Sequence, residues 1–596
     1  MSKSTKKMSS WVKGAALTTV LSAVLLVNPI SSPLIHAAKV TSGTSYVLFQ
    51  IDKKEVFLNG EIHTLNAAPF VQGGSTYVPA KFLGDAFGMD VTWDAAAKEI
   101  TLKTPSHLII FNNGKEKLTV NGKAVPFGDG GKIVNGSLMI KLTWLSEYMN
   151  AKYTYNHDVR TVEVIYNGTP NGVYDPDKKN STPIAKFAFA KDTYRKGEPI
   201  KYVNLSYDPD GDGLQLKWEG KQDAFFEAGT YPITLTVTDK SGNISKSFTR
   251  NVEITDEHYL SELEFPIYQL PVGGIVKTNW NIINKHYSNF PDLSKTVTND
   301  TSRSLLMSDS PETFYQTGIL YQDIINGKGR LYADHFNGTG ETVGFAILAT
   351  NTTDEPITVR TTRQGEVFPS IYANLIGSEA MVDFLLDEMK PETMVVPPFQ
   401  TFIYKQFPKF DPKQGVNLMY DLETDGDLTF TFAAAKEVSE DMLKMPKLPF
   451  EGHIRGTFQI AGFDWDIDMA ANPISKPHKL VLGDGKVDLH YPGYDPQSGV
   501  DTVLKSNYGT IYKINIKNPE KMAVMLLPRA GVFKGPFKVN GEIVKVPSTG
   551  TLTAFNGMSI LAKTTGEEDM LTLEYSPPAN SSFPIHIIFY PLEDLE

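Results

Sequence analysis

The chain has 596 residues, a formal net charge of −11 at pH 7 and no cysteine. The lack of cysteine excludes disulfides, thiolate metal sites, a cysteine nucleophile and a lipid-anchored lipobox. The acidic balance argues against nucleic acid and anionic membranes as partners, and the length suggests about three to five domains.

Residues 1–37 predict a secretory signal. Four lysines precede an apolar run over residues 15–27, which is too short to span a bilayer comfortably, and Ile35-His36-Ala37 offers a small-residue cleavage site. An uncleaved anchor is the alternative. No later apolar stretch reaches membrane length, so we expect a secreted or cell-surface protein with no transmembrane segment beyond the signal peptide.

The next region is an internal repeat. Residues 56–102 align without gaps on residues 118–164, at an offset of 62. Each copy predicts a hairpin at Asn59-Gly60 or Asn121-Gly122, a strand, a short helix and two more strands. Because each copy is small, we expect the pair to form one α+β domain over residues 45–166.

This region resembles the copper amine oxidase N-terminal-like domain. The residues that carry the resemblance are Val56-Phe57-Leu58-Asn59-Gly60, Gly73-Gly74-Ser75-Thr76-Tyr77-Val78-Pro79, Phe82-Leu83 and Val91-Thr92-Trp93-Asp94. That family is a stalk-like module of exported bacterial proteins and lies away from the copper centre. The resemblance therefore implies an accessory module.

The oxidase chemistry itself is not predicted. The enzyme resembled requires a quinone-precursor tyrosine in an Asn-Tyr-Asp/Glu setting, and Asn507-Tyr508-Gly509-Thr510 departs from it. None of the 11 histidines forms a His-x-His pair. We therefore expect no amine oxidase activity.

Residues 167–182 are rich in Gly, Pro, Asn and Asp and predict an exposed linker. Residues 183–256 then alternate apolar and polar side chains in short runs, as in Leu214 to Trp218 and Tyr231 to Thr238. Short strands separated by turns at this spacing favour a β-sandwich.

The central segment resembles a PKD domain, an immunoglobulin-like module of extracellular proteins. The matching residues are Ser206-Tyr207-Asp208-Pro209-Asp210-Gly211-Asp212, Trp218, Gly229-Thr230-Tyr231 and Val237-Thr238-Asp239. The family often continues after its tryptophan with a WDFGDG-like turn, which is shortened here to Trp218-Glu219-Gly220-Lys221.

The same segment fits a calcium-loop pattern. Asp208, Asp210, Asp212 and Glu219 are spaced as in D-x-D-x-D-G-x5-E. An EF-hand requires helices on both sides, whereas both flanks here predict strands. An Asp/Gly turn is therefore the favoured interpretation, and calcium is the one cofactor that the pattern would admit.

The remaining chain predicts further strands and is divided by the sequence into two β-rich domains, residues 257–440 and 450–596. One helix is predicted from Ser378, as its cap, to Met389. The predicted fold class is mainly β and multidomain: an α+β repeat domain, an immunoglobulin-like β-sandwich and a β-sandwich-type C-terminal region.

Two features of this last region are candidate sites. Asp464, Asp466 and Asp468 alternate along one strand, and could serve a glycosidase or hold calcium. The alternative is that they line the wet face of a strand whose Phe463, Trp465 and Ile467 point inward. His453 and Arg455 could hold an anion, or form a hydrogen-bonded structural pair.

Three functions are compatible with these patterns. The first is a secreted or wall-associated binding protein that engages cell-wall or extracellular polysaccharide, or a surface protein. The second is a secreted, glycosidase-like hydrolase with its site in residues 257–596. The third is a scaffold of a surface layer or spore coat. The first is favoured, because no assembled catalytic pair is visible.

Overall fold

The computed structural model describes residues 43–104, 107–149, 151–168, 177, 179–211, 213–388 and 390–595. The predicted signal (1–37) and most of the predicted linker (167–182) lie outside these residues. Strands dominate, with helices as a minor component, which confirms the mainly β, multidomain fold class. Among the described residues no helix combines the length and apolarity needed to cross a membrane.

The chain forms two compact units. The first comprises most of residues 1–253, and the second comprises residues 254–596 together with the short segments 194–199 and 224–229.

The first unit begins with the repeat domain. Its elements are β1 (Gly43–Gln50), β2 (Glu55–Leu58), β3 (Glu61–Thr64), β4 (Phe70–Gln72), β5 (Ser75–Pro79), α1 (Ala80–Phe87), β6 (Asp90–Asp94), β7 (Glu99–Lys103), β8 (Leu108–Asn112), β9 (Lys117–Val120), β10 (Lys123–Val125), α2 (Phe127–Gly130), β11 (Gly131–Val134), β12 (Ser137–Lys141), α3 (Leu142–Leu145), a 3-10 turn (Ser146–Tyr148), β13 (Ala151–Asn156) and β14 (Thr161–Gly168).

The two repeat copies exchange hairpins. One sheet has the order β13-β14-β1-β2-β3 and another β10-β9-β8-β7-β6, so each outer sheet combines strands of both copies. A central sheet, β11-β12-β5-β4, joins the middle hairpins, and its register sets Val78 opposite Ile140. These two residues are related by the offset of 62, so a pseudo-twofold axis passes between them, and both are fully buried.

The repeat is also visible in matched hydrogen bonds. The Asn59 side-chain oxygen accepts the Tyr46 amide at 2.8 Å, and the Asn121 oxygen accepts the Leu108 amide at 2.7 Å. Both asparagines have a positive φ, 51° and 49°, as the predicted Asn-Gly hairpins require. The same local sequence therefore builds the same turn twice.

The central segment of the chain supplies six strands: β15 (Phe187–Phe189), β16 (Thr193–Lys196), β17 (Tyr202–Asn204), β18 (Gln215–Glu219), β19 (Gly229–Thr238) and β20 (Phe248–His258). β15 pairs with β17, and β18 pairs with β19. The ring of Trp218 packs edge-on against Phe187 at 4.9 Å. The alternation of apolar residues along β19 buries Ile233, Leu235 and Val237, as predicted.

The second unit contains the remaining elements: α4 (Phe265–Gln269), β21 (Ile275–Val276), α5 (Trp280–Lys285), β22 (Thr296–Asp300), β23 (Ser304–Ser308), β24 (Thr313–Phe314), β25 (Gly318–Asn337), β26 (Gly344–Asn351), β27 (Ile357–Glu366), α6 (Ala373–Leu386), β28 (Glu392–Val396), β29 (Thr401–Gln406), β30 (Gly415–Ala435), β31 (Arg455–Phe458), β32 (Gly462–Asp468), β33 (His478–Leu482), β34 (Tyr491–Asp495), β35 (Val500–Leu504), β36 (Ile511–Lys517), β37 (Met522–Pro528), β38 (Val532–Phe533), β39 (Gly535–Val539), β40 (Glu542–Val546), β41 (Leu552–Thr553), β42 (Met558–Lys563), β43 (Met570–Tyr575) and β44 (Ile585–Pro591). Short 3-10 turns occur at Tyr287–Asn289, Glu440–Lys444 and Lys505–Asn507.

Three large sheets form this unit. A six-stranded sheet, β22-β32-β36-β43-β39-β40, and a five-stranded sheet, β21-β42-β37-β44-β33, contribute side chains to one shared core. An eleven-stranded sheet is built around the long pair β25 and β30, and a second core comes from its own strands.

The expected boundary at residues 440–450 does not separate two compact units. β31, β34 and β35 follow it in sequence but belong to the eleven-stranded sheet with β23 and β25, and β22 precedes it but pairs with β32. Strand pairing between distant segments overrides the local boundary signal. The predicted helix also begins earlier, at Ala373, and Ser378 lies buried inside it instead of capping it.

Candidate functional site

A polar cavity of about 340 Å³ lies in the second unit, between the eleven-stranded and six-stranded sheets. Of the candidate site residues predicted from the sequence, Asp464 lines this cavity. Its charged lining consists of four cationic side chains and four carboxylates: Arg303, Arg330, Arg363, Lys513, Asp300, Asp387, Asp421 and Asp464.

The floor of the cavity is a buried ion pair. The antiparallel register of β25 and β30 sets Arg330 opposite Asp421, and the two meet in a bidentate contact with N···O distances of 2.6 and 3.0 Å. Arg330 also donates to the carbonyls of Ala461 and Gly509. Burial would raise the pKa of Asp421, but the charge and hydrogen bonds of Arg330 outweigh it and hold that pKa below its usual value.

Two further arginines form the walls. Arg303 lies 3.6 Å from Asp421. Arg363 contacts Glu574 at 3.0 Å, donates to the Phe384 carbonyl and stacks over the Phe384 ring at 4.3 Å. Because each guanidinium is fixed by carboxylates, carbonyls or a ring, the walls present positive charge in a preset position.

The rim comes from three neighbouring strands. β32 pairs in parallel with β36, which sets Asp464 opposite Lys513, and in antiparallel with β22, which ends at Asp300. Burial would raise the pKa of Asp300, but hydrogen bonds from Ser302 and the charges of Lys513 and Arg330 lower it. The rim therefore presents two anionic groups and one cationic group, which offer both acceptors and donors to a ligand.

The three predicted aspartates do not converge. Asp464 lines the cavity, Asp466 accepts a hydrogen bond from the Asn515 amide at 3.1 Å, and Asp468 accepts the backbone amides of Ala470 and Ala471. Phe463, Trp465 and Ile467 are buried on the other face. The strand therefore follows the wet-face alternative, because side chains alternate across a strand.

The predicted pair His453 and Arg455 does not form a joint anion site. Arg455 is fully buried, and its guanidinium contacts Asp495 at 3.0 Å and donates to the carbonyls of Leu320 and Leu448. His453 precedes β31 and is half exposed beside two carboxylates, Glu312 at 3.1 Å and Asp309 at 3.9 Å. Each of the two residues thus has a carboxylate partner of its own.

The described residues of the candidate calcium loop lie in a turn, which holds Asp208 and Asp210, and in β18, which holds Glu219. The Asp208 carboxylate accepts the Asp210 amide at 2.7 Å, and the Asp210 carboxylate accepts the Ser181 amide. Glu219 ends β18 and contacts Lys217 at 3.4 Å. Asp212 lies outside the described residues. The strand flanks predicted from the sequence are present, so the helices of an EF-hand are not.

Sequence reasoning missed most of the cavity. Arg330 and Asp421 stand 91 positions apart. Arg363 and Lys513 come from two other strands, β27 and β36, and Arg303 comes from the turn between β22 and β23. The one local signal was a charged residue inside an apolar run, as in Gly329-Arg330-Leu331-Tyr332 and Met419-Tyr420-Asp421-Leu422. Because a buried charge requires a partner of opposite charge, this pattern could have predicted the ion pair between Arg330 and Asp421.

Two solved structures show weak similarity to this chain. One match, from a study titled as the structural basis for the promiscuous specificity of carbohydrate-binding modules of the β-sandwich superfamily, shares 14% identity and covers 43% of this chain and 97% of that chain, with a TM-score of 0.12. Tripeptidyl peptidase 2 shares 10% identity and covers 72% of this chain and 31% of that chain, also with a TM-score of 0.12. Scores this low support no statement about fold or function.

Comparison with protein families is more informative about the repeat domain. Residues 32–102 and 57–164 each match the family described as the copper amine oxidase N-terminal domain. The first match contains the first repeat copy, and the second match spans both copies, whose Asn-Gly turns form matched hydrogen bonds. The N-terminal part of this chain is therefore similar to the copper amine oxidase N-terminal domain family, as its motifs predicted.

Proposed function

We propose that this protein is an exported, modular binding protein of the bacterial cell surface or cell wall, without amine oxidase activity. The repeat domain and the PKD-like central segment act as spacers or wall contacts, and the C-terminal unit binds extracellular polysaccharide in its polar cavity. The accessory family of the repeat domain and the leader-like residues 1–37 support export.

The composition of the cavity is the observation that supports this proposal. Four cationic and four anionic side chains balance in charge, and neighbouring ion pairs hold the arginines in place. A balanced lining gives no net attraction for a multiply charged anion, whereas it offers both donors and acceptors to hydroxyl groups. A polyhydroxylated chain is the ligand class that uses both.

A secreted hydrolase is the alternative, and it requires a general acid of raised pKa beside a second carboxylate in one cavity. In the cavity lining, the pKa values of Asp300 and Asp421 are lowered instead. Burial raises the pKa of Asp309 and of Asp334 well above the usual range, with further increases from Glu312 next to both. Both residues are nevertheless buried and outside the cavity lining. A substrate in the cavity would not reach them, so binding is the better supported function.

The test is retention of the full chain on insoluble polysaccharides, namely peptidoglycan, cellulose and chitin. We expect retention on at least one of them, weakened about tenfold or more by Asp464→Asn and Lys513→Met, because each removes a charge-assisted hydrogen bond worth about 1.5–3 kcal/mol. Asp466→Asn and Lys517→Met are matched controls on the same strands, outside the cavity lining.

The outcomes separate the functions. Equal retention of the cavity variants and the controls would contradict binding in this cavity. Release of soluble sugar from the matrix would contradict the binding function and favour the hydrolase. No retention on any matrix would exclude these polysaccharides and leave a protein partner or a scaffold role.

A further inference from the structure

Three potential metal ligands meet away from the cavity. One ligand atom each from Asp309, Glu312 and His453 lies within 4.8 Å of the other two. The His453 ring is 3.1 Å from the Glu312 carboxylate and 3.9 Å from that of Asp309. All three residues belong to the second unit.

The strand register brings these residues together. β23 pairs with β31 so that Ser308 lies opposite Arg455, and the next residue, Asp309, donates its amide to the Ile454 carbonyl at 3.0 Å. The turn after Asp309 is fixed when the Ser310 hydroxyl accepts the Glu451 amide at 2.8 Å. Backbone contacts on both sides therefore hold the three side chains at a set spacing.

Asp309 is an unusual member of this group. It is 8% exposed, and its Oδ1 atom has no hydrogen-bond partner among the residues that the structure describes. A buried carboxylate oxygen without a partner is costly, and native structures satisfy such atoms with a hydrogen bond, an ion or a bound water. The unpartnered oxygen thus indicates a ligand.

Neighbouring cationic side chains do not provide a partner for the Asp309 Oδ1 atom. Arg455 is committed to Asp495 and to backbone carbonyls. In the described part of the chain, His453 is the one basic side chain within 4 Å of the Asp309 or Glu312 carboxylates. Two carboxylates therefore share a single imidazole.

We propose that Asp309, Glu312 and His453 bind one divalent transition-metal cation, of which Zn²⁺ is the best fit. Zinc ligands at about 2.0–2.2 Å from the ion stand roughly 3.3–3.6 Å apart in a tetrahedron, and one ligand atom of each residue already lies within 4.8 Å of the other two. Only small side-chain adjustments are needed.

The donor set selects the class of metal. One imidazole nitrogen and two carboxylate oxygens suit Zn²⁺ and Mn²⁺, whereas Ca²⁺ takes six to eight oxygen ligands. Three protein ligands leave a fourth position open to water or to a ligand group, as in catalytic and bridging zinc sites. His453 is 50% exposed, so an ion reaches the site from solvent.

The test is a titration of the full chain, freed of metal by a chelator, with ZnCl₂, MnCl₂ and CaCl₂, followed by calorimetry and by the thermal unfolding midpoint. We expect one Zn²⁺ per chain and a higher midpoint on binding. Glu312→Gln and His453→Gln each weaken binding about tenfold or more, because each removes a ligand atom.

Matched controls make the result specific. Glu388→Gln and His286→Gln change the same residue types at exposed positions outside the cluster and leave binding intact. Asp210→Asn tests the central turn as a competing site. No stoichiometric Zn²⁺ or Mn²⁺ binding, binding that survives both cluster substitutions, or binding lost only in Asp210→Asn would each overturn the proposal. Because His453 is half exposed, we expect the His453→Gln protein to fold. If Glu312→Gln does not fold, His453→Gln alone decides the outcome.

Discussion

His586 is a buried histidine in an interior strand. It lies in β44, between Leu527 of β37 and Val481 of β33, and is 8% exposed. Burial, together with the positive charges of Arg529 and Lys479, lowers its pKa to about 3. The folded protein therefore holds this imidazole neutral at pH values where the unfolded chain protonates it.

The pKa of His586 predicts a loss of stability in mild acid. Below pH 6.5 the unfolded state binds the proton first, so the free energy of unfolding falls as the pH decreases toward 3. At 1.36 kcal/mol per pH unit, the full effect between pH 6.5 and 4.5 is about 2–3 kcal/mol. Urea unfolding at these two pH values measures it.

His586→Gln isolates this contribution, because it removes the titrating group and flattens the pH dependence. His286→Gln, at an exposed position, is the control and leaves the dependence unchanged. The buried carboxyl groups of Asp309 and Asp334, whose raised pKa values act in the opposite direction, remain in both variants. An equal slope in His586→Gln and the native chain would contradict the prediction.

At the scale of elements, α6 shows why a local pattern misplaced a helix. A glycine at position 377 suggests a break before Ser378. The helix nevertheless continues through Gly377. A Cβ at this position would stand 2.2 Å from the Ala579 carbonyl oxygen, so only glycine allows the close packing of the helix at this point. A Cβ on Gly365 of β27 would likewise stand 2.2 Å from the carbonyl oxygen of Ala380, which belongs to α6.

Gly377→Ala is therefore expected to destabilise the protein, although alanine favours helices. The gain in helix propensity is about 1 kcal/mol, and a backbone clash in a packed site costs about 1–3 kcal/mol or more. We expect a net loss of stability in chemical unfolding. Gly128→Ala in α2, where the new Cβ meets nothing within 4 Å, is the control. A Gly377→Ala protein as stable as the native chain would refute the close-packing argument.

In the whole molecule, the segments of the second unit before and after residues 440–450 depend on each other for folding. β31, β34 and β35 extend the sheet of β23 and β25, while β22 is an edge strand of the sheet that holds β32 and β36. Removal of either side leaves strands without their neighbours and opens the shared core. The repeat domain has the same property, because its outer sheets each need both copies.

Fragments divided near residue 445 are therefore expected not to fold separately. A chain of residues 254–445 and a second chain of residues 446–596 should each lack a cooperative unfolding transition. Co-expression should restore it, because the strands can then pair. Circular dichroism and thermal unfolding of the separate and combined fragments measure this. Cooperative unfolding of residues 446–596 alone would contradict the single-unit description.

The local features of the fold can be derived from the sequence alone. The Asn-Gly hairpins, the repeat offset of 62, the strands with alternating burial and the outward-facing aspartates of β32 all follow from patterns within a few residues, because side-chain period and turn chemistry act locally. The similarity of the repeat domain to the copper amine oxidase N-terminal domain family also follows from such motifs.

The contacts between distant segments become visible only in the folded chain. It exchanges hairpins between the repeat copies, joins the two halves of the C-terminal unit, and brings Arg330 to Asp421 and Asp309 to His453. These contacts depend on the register of strands far apart in the chain. Period-two patterns fix which face of a strand is buried, but not which strand becomes its neighbour.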